Sequence, residues 1–359
     1  MGKAAPHAQI HINGNADFAN KAGSEGWRGN GTAFNPYIIQ NYEIDAHGGA
    51  YCIWIENTTV YFVIRNCAVY NATYSFPEPY GAGIYLKNVT NGRLENNNCY
   101  GNKHGIFLSY RSSNNNITDN NCYDNNQGIR FYEYSTNNNI ANNNCYNNSD
   151  GIYLDDSSNN TIKNNKCYSN SYGISLYSSS NNNTIENNHC YDNYFAGIRL
   201  YYFTSNKYPS NNNITNNKCY NNSWDGIFIS SSHNNSITNC NVYNNSCGIR
   251  IYSSSNIQIH YCSIYGNKEY GISNENLEGK YEVNATYCWW GHASGPFNEK
   301  NPSGKGDNVS NNVIFEPWLE KTSDGGNTSA EKNKKGIPGF ELFAIVGAIA
   351  FIILIRKKK

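Results

Sequence analysis

The stretch Gly151 to Asn170, GIYLDDSSNNTIKNNKCYSN, recurs in close copies along most of the chain. Its Gly-Ile pair returns at Gly83, Gly105, Gly128, Gly173, Gly197, Gly226, Gly248 and Gly271, usually 22 or 23 residues apart. A period of that size denotes stacked supersecondary units, none of which buries its apolar face alone. Within the unit, Ile152 and Leu154 alternate with Tyr153 and Asp155, the pattern of a strand with one buried face. Ile162 begins a second short strand and Cys167-Tyr168 a third, with Asn-rich turns between them. No apolar period of 3.6 residues is present, and Asn, Ser, Thr, Gly and Tyr are poor helix formers, which argues against a helical repeat.

Aligned coils place three columns inward. The first runs from Ile53 through Ile152 to Ile272, and the second from Ile39 through Ile162 to Val283. The third starts at Ile44 and Val69, continues through Cys99, Cys122, Cys145, Cys167, Cys190 and Cys219, and ends with Val242, Ile264 and Cys288. Between the second and third columns lies a slot held by Asn97, Asn120, Asn143, Asn165, Asn188 and Asn217, with Cys67, Cys240, Cys262 and Thr286 in other coils. Asn accepts the left-handed backbone of a sharp bend, and stacked amides hydrogen-bond from coil to coil, so this slot is expected to form a structural ladder. The unit resembles the PbH1 repeat of right-handed parallel β-helices. That resemblance implies an all-β solenoid of about eleven coils, roughly 50 Å long at the usual strand spacing.

The chain holds 27 basic and 27 acidic residues, a balance that carries no nucleic-acid footprint. Its twelve cysteines invite a disulfide or metal reading. Val and Ile fill the same inward slot elsewhere, however, so the slot asks for a small apolar group, which a free thiol supplies. Cys240 and Cys262, in adjacent coils, remain able to pair if oxidised. Metal sites want two to four converging ligands, no CxxC or HxxxC pair occurs, and no cofactor set is evident.

At the start, residues 1–45 read as a cap and first coil. Ala16 to Ala22 is expected to be a short amphipathic helix with Phe18 turned inward over the open strand edges. The segment from Ile10 to Asp45, with Asn35-Pro36-Tyr37-Ile38-Ile39, resembles surface β-helix proteins related to the NosD family. Residues 46–286 form the repeats, two of them lengthened by Thr73 to Tyr80 and Phe203 to Ser210. Residues 287–319 resemble the ending of archaeal surface β-helix proteins, and Trp289, Trp290, Phe297 and Trp318 are expected to close the last coil. Residues 320–336 are a polar linker. Residues 337–359 combine Pro338-Gly339-Phe340, an apolar run and the basic end Arg356 to Lys359, which reads as a transmembrane segment with its tail in the cytoplasm. This order resembles the PGF-CTERM sorting signal of archaeal surface proteins, and implies cleavage by an archaeosortase-like enzyme; a plain membrane anchor is the alternative. Met1 to Pro6 has no apolar leader, so a leader lost from the start is expected. Glycosylation sequons at Asn57, Asn88, Asn284 and Asn327 agree with an extracellular location.

Enzymes of this fold, such as pectate lyases and polygalacturonases, work beside the first strand. The outward positions there include Phe107, Arg130, Tyr132, Tyr153, Asp155, Tyr177, Arg199, Tyr201, Arg250 and Tyr252, a stripe suited to stacking on sugars and pairing with carboxylates. A hydrolase needs two carboxyl groups at a set separation, and the adjacent Asp155 and Asp156 diverge. Polysaccharide lysis or hydrolysis is therefore an alternative, as is NosD-like copper handling, which the single Met and scattered histidines do not favour. The reading is a membrane-anchored extracellular protein that binds or scaffolds carbohydrate, with no catalytic residue assigned. Mass spectrometry of the protein from its native cells is expected to find a mature form lacking Leu342 to Lys359; an intact tail leaves only the plain anchor.

Overall fold

In the computed structural model, which describes residues 4–74, 80–202, 207–276 and 281–322, each repeat turns through three short strands, and equivalent strands of successive coils pair in parallel. The pairs build sheets of 11, 11 and 12 strands around one apolar core. The chain is thus an all-β parallel β-helix, as its repeat implies. The coils belong to one compact unit, Met1–Ser323. The sorting motif Pro338, Gly339 and Phe340, and the apolar tail with it, lie outside the described residues; among those, no helix is long and apolar enough to cross a membrane.

Register pairs like with like. Ile129, Ile152 and Ile174 stack on the Gly-Ile sheet, Ile140, Ile162 and Ile185 on the middle sheet, and Cys145, Cys167 and Cys190 on the Cys-Tyr sheet. All are fully buried, each side chain stacked on its own copy in the next coil. The Gly of each coil is needed for close approach. A Cβ on Gly151 would lie 2.6 Å from the Gly173 carbonyl oxygen and 3.1 Å from the Asn170 amide.

The expected Asn ladder is present, and two more run beside it, one at each corner. Asn143 shows the chemistry. Its Oδ1 accepts from the Asn120 backbone N–H and Nδ2, both at 3.0 Å, while its own Nδ2 donates to the Ile117 carbonyl at 2.9 Å and to Asn165 Oδ1 at 3.0 Å. Asn125, Asn148, Asn170 and Asn193 do the same at the second corner, and Asn115, Asn138, Asn160 and Asn183 form the third file. The left-handed backbone belongs to the residue before each ladder position, such as Asn142 (φ 58°), Asn147 (φ 55°) and Asn137 (φ 57°). The doubled asparagines of the sequence therefore divide two jobs, one making the bend and the next tying the coils.

All twelve cysteines are free and buried. Burial pushes the thiols of Cys122 and Cys190 well up, which keeps them protonated. On the outer side of the same strands, tyrosines from Tyr70 to Tyr265 stack with centroids 4.9 to 5.1 Å apart.

The N-terminal helix spans Asn15–Glu25 and seals the first coil with Phe18, whose ring stacks on Tyr37 at 5.0 Å. The far end departs from the expected register. Gln258 pairs with Asn284 and Ser263 with Trp289, so the last coil sits two residues away from the sequence alignment. Ala285, not Val283, continues the second column; Trp290, not Cys288, takes the third; and Cys288 rather than Thr286 extends the ladder slot, its Sγ donating to the Ile259 carbonyl. A shift of two preserves strand alternation, which is why the pattern conceals it. Trp290, Val309, Val313 and Phe315 are buried at this end and Trp318 packs against them, whereas Phe297 stays exposed and takes no part in the seal.

Replacing Cys145 by Val is expected to change stability by less than about 1.5 kcal/mol, because the slot already accepts Val in other coils. Asn143→Ala strands the Asn120 N–H and the Ile117 carbonyl, and is expected to cost about 2 to 4 kcal/mol. Urea unfolding midpoints of the two variants measure the contrast.

Candidate functional site

The Gly-Ile sheet turns a three-residue-wide face outward, and the corner at each Gly brings the preceding side chain onto it. The positions just before the Gly, from His104 to Cys247, read His104, Gln127, Asp150, Tyr172, Ala196, Asp225 and Cys247, and they stack in that order. Beside them run Phe107, Arg130, Tyr153, Ser175, Arg199, Phe228 and Arg250. Parallel pairing sets these side chains one strand spacing apart, so residues far apart in sequence become neighbours.

Two clusters result. In the first, Arg130 Nη1 lies 3.2 Å from His104 Nε2. A guanidinium only donates, so Nε2 is the acceptor and the imidazole proton sits on Nδ1. Burial, reinforced by Arg130, holds His104 well below its usual pKa, so the ring is neutral. The guanidinium packs against Phe107, Tyr132 and Tyr153, with its carbon 5.1, 5.2 and 5.9 Å from the ring centroids. Burial also lifts Asp155 to about 6, against the pull of Arg130.

The second cluster depends on the small side chain of Ser175. Arg199 reaches across that coil, its Nε 2.8 Å from Ser175 Oγ and its Nη2 2.9 Å from Asp150 Oδ1, while Ser175 Oγ also donates to Asp150 at 2.6 Å. The Arg199 guanidinium lies between Tyr172 and Tyr201, 3.3 and 4.0 Å from their centroids. Two coils on, Arg250 Nε donates to Asp225 Oδ1 at 3.0 Å and Nη1 to Glu275. Burial raises Asp225 to about 6, with Arg250 opposing. Between these ion pairs opens a groove of about 520 Å³, lined by Tyr172, Phe195, Arg199, Tyr201, Trp224, Asp225, Phe228, Arg250 and Glu275.

The expected stripe is therefore not uniformly open. Phe107 is 1% exposed, because Tyr80, Tyr85 and Tyr132 enclose it in a satellite cluster, and Tyr201 is 8% exposed beneath Arg199. Tyr85 and Ser175, outward by alternation, are also fully buried. Arg130, Tyr132, Tyr153, Asp155, Tyr177, Arg199 and Arg250 are half-buried, and Tyr252 is exposed. Arg199 and Arg250 join the groove; Arg130, Tyr132, Tyr153 and Asp155 form the other cluster; Tyr252 borders a separate hollow with Tyr208, His233 and Tyr281. Sequence reasoning missed Tyr172, Phe195 and Trp224. Phe195 and Trp224 stand two residues before their Gly, a slot that Ser149, Ser171 and Ser246 fill in other coils, and that contrast was the available signal. Of the inserted loops, Tyr80 packs by Phe107 and Tyr208 by Tyr202, while 75–79 and 203–206 lie outside the described residues.

The thiols from Cys99 to Cys219 stand in file along one wall, His7 bonds Glu25 and His11 bonds Glu56, and no group of three His, Cys, Asp or Glu that could hold a metal ion occurs among the described residues.

Two family models match parts of the chain: "Right handed beta helix region" over residues 51–214 and "Periplasmic copper-binding protein (NosD)" over residues 150–284. Neither spans half of the sequence. No curated protein matches. Among solved structures, the A-module of the mannuronan C-5 epimerase AlgE4 from Azotobacter vinelandii is similar with a TM-score of 0.53 and 14% identity, over 84% of this chain and 93% of that one. The Dettilon tailspike protein gp208 gives 0.55 and 12%, over 87% of this chain and 61% of its own. At these identities the likeness concerns the fold. With the first family model, it makes this chain a right-handed parallel β-helix protein.

Proposed function

We propose that this protein is displayed outside the cell, held at the membrane through its C-terminal tail, and binds carbohydrate along the outer face of its Gly-Ile sheet. The observation that carries the binding reading is the groove between the two arginine ion pairs. Trp224 is 55% exposed and stands there with Phe195 and Phe228 over a floor fixed by Arg199 and Arg250. Open aromatic faces beside polar groups suit the alternating apolar and hydroxyl surfaces of a sugar. A solenoid presents such a face along its length, which fits a polymer better than a small molecule. The likeness of the fold to an epimerase module of known carbohydrate chemistry supports the same ligand class. The tail reading rests on Pro338-Gly339-Phe340 and the basic end, with an archaeosortase-like enzyme as the processing partner.

Trp224 is the residue to remove, since it is exposed and its loss leaves the core intact. Trp224→Ala is expected to weaken binding about tenfold or more to whichever polysaccharide a glycan array identifies, the scale of an aromatic anchor at an interface. Arg199→Ala is a poorer probe, because it leaves the buried Asp150 carboxylate without its cation. Absence of binding to any glycan reduces the protein to a structural solenoid, and shortened products would establish an enzyme.

A further inference from the structure

Resting on that carbohydrate reading, we infer that the groove takes sugars bearing a protonated amino group and rejects uronic acids. The stripe of arginines at first suggests the reverse, and their surroundings decide the matter. Arg199 spends Nε on Ser175 and Nη2 on Asp150, with its guanidinium carbon 3.3 and 4.0 Å from the Tyr172 and Tyr201 ring centroids. Arg250 spends Nε on Asp225 and Nη1 on Glu275, and its Nη2 lies 3.9 Å from Glu269. Among the described residues, two guanidinium groups thus face four carboxylates, those of Asp150, Asp225, Glu269 and Glu275.

Accessibility sharpens the imbalance. The side chains of Arg199 and Arg250 are 11% and 23% exposed, while Glu275 and Glu269 are 43% and 60% exposed. An incoming ligand meets the Glu275 carboxylate in the groove lining, with Glu269 near Arg250, and finds the cations already matched. A uronate would bring a like charge toward those carboxylates and would have to displace an internal carboxylate to reach a guanidinium. An ammonium group meets the opposite situation, with the Glu275 carboxylate and the exposed Trp224 in the groove lining and Glu269 near Arg250, all of which attract a cation.

Calorimetric titration of the full-length protein with oligomers of glucosamine, N-acetylglucosamine and galacturonic acid tests this. The glucosamine oligomer is expected to bind at least tenfold more tightly than either of the others at low salt, with the advantage shrinking as salt rises. In Glu269→Gln and Glu275→Gln the ratio of glucosamine to N-acetylglucosamine affinity is expected to fall toward one. Tightest binding of the galacturonate oligomer, or equal affinity for the amino and acetylated forms, overturns the inference while leaving carbohydrate binding in place. Failure of all three oligomers, together with a blank glycan array, overturns the inference and the carbohydrate reading at once.

Discussion

A buried asparagine at each corner, hydrogen-bonded to the coils on both sides, is the tie on which the rest of the chain depends. The amide supplies two donors and an acceptor oxygen in a place where three short strands leave backbone groups unpaired, and Asn143 uses all of them. The net stabilisation from each such bond is modest, about 1 kcal/mol, but an empty position leaves buried polar groups with nothing to bind. The ladders therefore specify register more than they add stability. They hold it across the insertion at 203–210, where Asn183, Asn188 and Asn193 reach Asn212, Asn217 and Asn222, each 29 residues on.

With core columns and corners setting the register, the outward positions of the Gly-Ile sheet are released from the folding problem. His, Gln, Asp, Tyr and Ala succeed one another before the Gly in consecutive coils, although the Ile after it hardly changes. The stacking that makes the fold also makes the site. A small residue in one coil is a gap across which its neighbours meet, and Ser175 lets Arg199 reach Asp150 across 49 residues of sequence. Chemistry on this scaffold is written by which coils are small and which are large.

The fold was legible because one period of 22 or 23 residues repeats long enough to identify every column by substitution. Its limits are equally physical. The last coil slipped by two because alternation survives an even shift, and only pairing to Gln258 and Ser263 reveals it. The ladder was seen at one corner of three, since Asn is so common that bends and ties merge in the sequence. Alternation also says which face a side chain takes but not what lies over it, so Phe107 and Tyr201 were counted as accessible when Tyr80 and Arg199 lie against them. The arginines were visible; their carboxylate partners, one or two coils away, were not.

Aromatic richness by itself does not mark a sugar site here, and ring geometry separates the two uses. Along the Cys-Tyr sheet successive rings are within 11° of parallel, so each covers its neighbour's face and only edges reach solvent. Such a ladder is a strand-stacking device that has no face left for a ligand. In the groove, Phe195 stacks on Tyr172 at 21° but meets Trp224 at 69°, so the stacking does not continue onto Trp224. Trp224 keeps more than half of its surface in solvent, 55% exposed, and that surface is what the fold leaves for something outside the chain.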